Sequence, residues 1–381
     1  LWNASSGISL MAISRDRAGL DVLVTGGAGY IGSFIVRHLL DAGHRPVVYD
    51  SLYSGHRWAA QEAELVHGDL ADRARLAELL EERRFAAVVH CAAHIWVGES
   101  VREPARYYAN NTANAIGLLD LCARHGVGNV VFSSTAAVYG QPGITLIGES
   151  QPLAPINPYG ASKMMTERVL VDIAAATGLR YAILRYFNVA GAHADARIGE
   201  ATPDNAHLIK VACETALGLR PGMFINGTDY PTPDGTCIRD YVHVDDLARA
   251  HLLALAHLGD GGASLVANCG YGHGFSVREV LDTAHGRYVI TGQSAFAGVV
   301  AQRVVFAFDG DRAIDRRIGV FRLGRRIHRG LARGRVLRRA IVLGDRRNRR
   351  RVSAGQARVA RGSDGRVTLR VSARSVPLGT V

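Results

Sequence analysis

The chain has 381 residues, 48% hydrophobic and 7% aromatic, enough apolar material for a sizeable core, which excludes global disorder. No apolar run is as long as a membrane-spanning helix requires, so no such helix is expected. The net charge of +11 is unevenly placed: residues 301–381 hold 22 Arg against 5 Asp, net +17, and the rest carries −6, the balance of an enzyme for a small substrate with no nucleic-acid role for the body.

Leu1 is not a methionine and Met11 shortly precedes the first strand, so residues 1–18 read as an extension outside the fold, without the basic-then-apolar order of a signal peptide. DVLVT at 21–25 predicts a buried strand stopped by glycines, and 29–42 a helix ended by Gly43. Strand 45–50, strand 64–66, helix 73–84 and strand 86–90 follow. Helix 112–125, strand 129–133, helix 159–177 and strand 180–186 complete the series. Strand alternating with helix over this length predicts a doubly wound parallel sheet, a Rossmann-type α/β domain over 19–188. A smaller α/β substrate region is expected over 189–284, partly interleaved with the first domain. It holds helices near 207–218 and 244–257, a strand at 265–269 and a helix from Ser276. From residue 285 to 381 Glu and Lys vanish, Arg dominates and no clear period remains. Three readings of this tail stand open: a shifted reading frame without specified structure, a nucleic-acid-binding extension, and a divergent folded closure. Cys91, Cys122, Cys213, Cys237 and Cys269 include no CxxC pair, which points to reduced thiols in a cytoplasmic protein and to no metal site.

GGAGYIG at 26–32 sets Gly26, Gly29 and Gly32 between a predicted strand and helix, with Tyr30 and Ile31 opening the helix. Glycines there let backbone N–H groups approach a pyrophosphate at the helix's positive end. Asp50 ends the next strand, where a carboxylate accepts from ribose hydroxyls and repels a 2′-phosphate, favouring NAD; a plain strand-end turn is the alternative. Asp69 and Leu70, in the turn after the third strand, are candidates for the adenine end. Tyr159 and Lys163 stand at i and i+4 on one helix face, where an ammonium lowers the pKa of a phenol that would otherwise be too weak an acid. Lys163 is one of two lysines in the chain. FSSTAAVYG at 132–140 brings Ser134 and Thr135 to the carboxyl edge of the sheet, where ligands sit. Their hydroxyls either assist at the substrate oxygen or cap the backbone. Arg239-Asp240 reads equally as a surface ion pair.

Together GGAGYIG, Asp50, FSSTAAVYG, YGASK, LRYFNVAGA and GTCIRDYVHVDDLARAH resemble the UDP-glucose (UDP-galactose) 4-epimerases of the extended short-chain dehydrogenase/reductase family. The resemblance runs from about Asp21 to Asp282. It implies tightly held NAD, Tyr159 as the base, Lys163 as its electrostatic partner, and Thr135 assisting at the sugar oxygen. It further implies Asn188 at the nucleotide diphosphate, Tyr186 and Phe187 near the nicotinamide, and Asn111 shaping the same pocket. His207 and Leu208 would lie along the UDP, and Arg239 would clamp a phosphate. The implied reaction is reversible 4-epimerisation through a 4-keto sugar, by a homodimer contacting through helices near 90–125 and 155–177. A 4-epimerase for another UDP sugar is the runner-up. Ala136 and Ala137 stand where the related dehydratases carry an acidic pair, which disfavours water elimination. Two departures are visible: Lys210 replaces the usual proline after HLI, and nothing in 285–381 matches the family's closing segment. NAD binding is therefore expected to survive, with sugar turnover weak or absent; an NAD-binding protein without turnover stays open beside the enzyme.

Overall fold

Unbroken apolar runs become central strands because a parallel sheet is covered on both faces. In the computed structural model, which describes residues 19–143, 146–203, 205–216, 219–281, 292–296, 299–304, 352–361 and 367–376, seven such runs form one sheet. Val22, Leu23 and Val24 of β1 (Asp21–Thr25) are fully buried, each contributing about 1.5–3 kcal/mol of apolar burial. α1 (Tyr30–Asp41), β2 (Arg45–Asp50), β3 (Glu64–His67), α2 (Arg73–Glu82) and β4 (Ala87–His90) follow. α2 is capped by Asp72, whose side chain accepts from the Arg75 amide.

Next come α3 (Val97–Arg102), α4 (Pro104–Tyr107), a π-helical turn at Tyr108–Ala113 and α5 (Asn114–Arg124). The first three were absent from the periodicity reading, since each is too short to show a repeat. β5 (Asn129–Thr135) runs two residues further than expected, to Thr135. α6 (Pro158–Thr177) starts where its sequence says it should. The Asn157 side chain accepts from the Gly160 amide, Pro158 sits in the first turn, and Gly178 closes the helix at φ +76°. β6 (Arg180–Tyr186) completes the expected series.

β7 (Asn188–Ala190), α7 (Leu208–Ala216), β8 (Ile238–His243), α8 (Val244–Gly259), β9 (Leu265–Cys269), β10 (Gly274–Ser276) and α9 (Val277–Leu281) follow. The main sheet has the order β3-β2-β1-β4-β5-β6-β9, and every neighbouring pair is parallel. The chain divides into two units, residues 1–189 with 242–272, and 190–241 with 273–381. α8 and β9, read from the sequence as part of the smaller region, thus belong with the first unit. Ala182 pairs with Leu265 and Tyr186 with Cys269 in register. Such a return is a long-range pairing that local patterning cannot reveal. His38 on α1 meets Asp245 on α8 at 2.9 Å.

In the second unit β8 pairs antiparallel with β10, Arg239 opposite Phe275. Two antiparallel hairpins lie further along, β11 (Gly292–Phe296) with β12 (Val299–Val304) and β13 (Val352–Arg361) with β14 (Val367–Val376). The arginine side chains on which the nucleic-acid reading of the tail turns lie outside the described residues, as does the extension at 1–18. Among the described residues no helix is long and apolar enough to cross a membrane.

Candidate active site

The turn from β1 into α1 is built from backbone. Gly26 has φ +72°, and its amide donates to the Tyr49 carbonyl at 2.9 Å. A Cβ on Gly26 would lie 2.6 Å from the Ala92 nitrogen, and one on Gly32 would lie 2.2 Å from the Gly26 carbonyl oxygen. Gly29 caps α1 without a side-chain acceptor, and no acidic residue lies in the first turn. The positive end of a 12-residue helix therefore receives no anion from its own first turn. Tyr30 and Ile31, half-buried, open that helix.

Asp50 is buried at the end of β2. Its Oδ2 accepts the Ala28 amide at 3.0 Å and its Oδ1 the Leu52 amide at 2.8 Å. Burial raises its carboxyl above the ordinary range, and the two amides pull it back. Each oxygen keeps a further lone pair for a ribose hydroxyl. Asp69 Oδ1 accepts the Ala71 amide at 2.8 Å, and its carbonyl takes the Tyr49 hydroxyl at 3.0 Å; Leu70 beside it is buried. The residues fit a dinucleotide: a side-chain-free phosphate cradle, then a carboxylate at the neighbouring strand end.

Tyr159 lies in the first turn of α6, 9% exposed, and Thr135 ends β5. Burial raises the phenol's pKa, and the Thr135 hydroxyl lowers it. Lys163, one turn on, is 3% exposed. Its Nζ donates to the Ser133 carbonyl at 3.0 Å and stands 4.9 Å from the Phe132 ring centroid. Burial pushes this ammonium down to about 8, while Cys91 and Glu167 raise it.

Residues 22–270 match the family described as the NAD dependent epimerase/dehydratase family. The chain belongs to that family. It is 59% identical over 263 residues to the UDP-glucose 4-epimerase of Azospirillum brasilense, covering 69% of this chain and 76% of the relative. It is 48% identical over 262 residues to that of Rhizobium meliloti, covering 69% and 80%. A crystal structure of UDP-glucose 4-epimerase from Brucella ovis in complex with NAD superimposes with a TM-score of 0.69 at 46% identity, covering 74% of this chain and 88% of that one.

Not every residue expected at the site of this epimerase/dehydratase family member converges there. Ser134 is fully buried and donates to Glu167 Oε1 at 2.5 Å. Its hydroxyl is taken up by Glu167, since successive strand residues face opposite ways and Ser134 faces α6. Glu167 in turn pairs with Arg185 at 2.6 Å, and Arg185 donates to the Tyr139 hydroxyl at 2.9 Å. Asn111, in the π-helical turn, accepts the His94 amide at 2.8 Å and donates to the His94 carbonyl at 3.0 Å and to Ser162 Oγ at 3.2 Å. Its amide braces the segment after β4 against α6. Tyr186 ends β6, with Asn188 exposed two residues on.

His207, Leu208 and Arg239 lie in the second unit. His207 Nδ1 meets Glu200 at 2.6 Å, and Leu208 begins α7. Arg239 is exposed on β8 and donates to the Ile238 carbonyl at 3.1 Å.

Sequence reasoning passed over Ser133, Glu167, Arg185 and His251. Glu167 carried a usable signal: Tyr159, Lys163 and Glu167 follow at steps of four on one helix face. His251 carried none, since its partners come from another strand.

Proposed function

We propose that Tyr159, Lys163 and Thr135 carry out reversible 4-epimerisation of UDP-glucose and UDP-galactose in this chain. The observation that carries this reading is the buried Tyr159 phenol, its pKa lowered by the Thr135 hydroxyl, with the buried Lys163 one turn along α6 and a dinucleotide cradle in the same unit. Ala136 and Ala137, following Thr135, offer no acid or base for eliminating water.

Bound NAD supplies reversible oxidation at the sugar C4, so that a 4-keto sugar can be reduced again on its other face. Gly26, Gly29 and Gly32 admit the pyrophosphate, and Asp50 accepts from the adenine ribose. Asp69 and Leu70 lie at the adenine end, and Lys163 and Tyr186 at the nicotinamide end. Tyr159 takes the proton from the sugar 4-hydroxyl and gives it back. Thr135 donates to the phenolate oxygen and steadies the sugar oxygen. Asn188, His207, Leu208 and Arg239 are assigned to the UDP moiety, Arg239 by its fixed fork of donors.

The reading extends to a cytoplasmic homodimer. Five free thiols support the compartment, and exposed Val101 on α3 and Met165 on α6 support helix-mediated pairing. The test is conversion of UDP-galactose to UDP-glucose without added cofactor, together with release and quantitation of bound NAD. Conversion that Tyr159→Phe abolishes is the expected result. Bound NAD without conversion of any UDP sugar would reduce the chain to an NAD-binding protein.

A further inference from the structure

The turn that admits the dinucleotide lies between two loops that reach each other across it. β1 sits between β2 and β4 in the sheet, and all three run parallel, so the segments following them share one edge. After β2, Tyr53 is 62% exposed, yet it touches both α4 and the segment after β4. Its hydroxyl accepts from Arg106 Nη2 at 2.7 Å, and the guanidinium carbon stands 5.4 Å from its ring centroid. Its ring meets the His94 ring edge-on at 5.2 Å. The bridge therefore spans the carboxyl end of β1, where the glycine turn begins.

The two sides of this bridge are held differently. On the far side, the Asn111 side chain takes both main-chain polar groups of His94, the amide at 2.8 Å and the carbonyl at 3.0 Å. Arg106 donates to Glu99 at 2.8 Å, and Glu99 also accepts from the hydroxyl of the buried Tyr107 at 2.8 Å. On the near side, the loop of residues 51–55 is strained. Leu52 has φ +58°, a left-handed conformation that a side chain with a Cβ disfavours. Its amide donates to Asp50 Oδ1 at 2.8 Å, and a Cβ on Gly55 would lie 2.8 Å from the Ala28 carbonyl oxygen. The loop is thus pinned at its root to Asp50 and the glycine turn, while its exposed tip reaches the braced side. A strained backbone persists only where its surroundings over-determine it, and Tyr53 supplies that hold at the tip.

We propose that Tyr53 closes the dinucleotide groove: by joining the loop after β2 to His94 and Arg106, it makes a clasp that must open for NAD to leave or enter. The clasp consists of an exposed hydrogen bond and two ring contacts, each weak by itself, so it opens often and governs rates rather than blocking passage. All its members belong to the protein, so it forms with or without the cofactor. Breaking it therefore speeds release and capture alike and leaves the equilibrium affinity little changed. A side chain that touches the cofactor behaves differently, since its loss raises release and leaves capture alone. The clasp rests on the dinucleotide placement given above and is independent of which sugar reacts.

The test is exchange of bound NAD for labelled NAD on the full chain, with capture of NAD followed on the same chain after its cofactor is stripped. Tyr53→Ala should raise both rates about tenfold, and Tyr53→Phe, which keeps the ring, about threefold. Arg106→Met should also raise both. Adding Tyr53→Phe to it should change little more, because the hydrogen bond between them is already gone. Release that quickens while capture does not would overturn the closure and make Tyr53 a cofactor contact. Unchanged rates in Tyr53→Ala would overturn it as well, leaving a surface contact between two loops. Both outcomes spare the dinucleotide placement, whereas a full chain that neither holds nor takes up NAD would refute that placement and the clasp with it.

Discussion

Acid should destabilise this protein through two buried imidazoles in the first unit. His251 and His90 are each 1% exposed, and burial holds them at about 4 and about 3. His90 is bonded to Thr25 at 2.8 Å and has the Lys163 charge nearby, which lowers it further. Both are neutral in the folded chain, whereas in the unfolded chain each takes a proton near the ordinary value of about 6.5. Since the unfolded state binds more protons, stability is lost as pH falls from about 6.5 toward the folded values. At pH 5 each ring forfeits about 2 kcal/mol relative to neutral pH. The assay is urea unfolding at about pH 7.5 and about pH 5 for the chain and for His251→Gln, a side chain that does not titrate. The drop between the two pH values should be about 2 kcal/mol smaller in the variant, because the other shifted groups are common to both. An equal drop would refute a buried neutral His251.

Gly32→Ala places a Cβ against the Gly26 carbonyl oxygen, so the affinity for NAD should fall by more than about tenfold, the effect of about 1.4 kcal/mol or more. An unchanged affinity would show that the turn can relax. Thr135→Val removes the hydroxyl that lowers the Tyr159 pKa, so kcat should fall about ten- to a hundredfold. Its acidic limb should move to higher pH, because the phenolate forms later; a limb moving the other way would contradict the role given to Thr135. Glu167→Gln leaves Arg185 as a buried, uncompensated charge and should cost about 3–5 kcal/mol in urea unfolding.

The candidate site was legible wherever it depended on spacing within one element. GGAGYIG between strand and helix, Asp50 at a strand end, and Tyr159 and Lys163 four apart on a capped helix are candidates that local spacing picks out. Equally legible was the alternation that produced the parallel sheet from β1 to β6, because each buried run and each cap is a near-neighbour property. What the tertiary structure alone decided is where the local elements meet. β9 joins the main sheet beside β6 after a long excursion, and it carries α8 with it. That return sets His251 against Ser133, across 118 residues of chain. The strand pleat turns Ser134 from a substrate hydroxyl into a partner of Glu167, and the sheet edge gives Lys163 a carbonyl to hold. Local sequence sets propensity and spacing, whereas a hydrogen bond's partner depends on which distant backbone burial brings within about 3 Å.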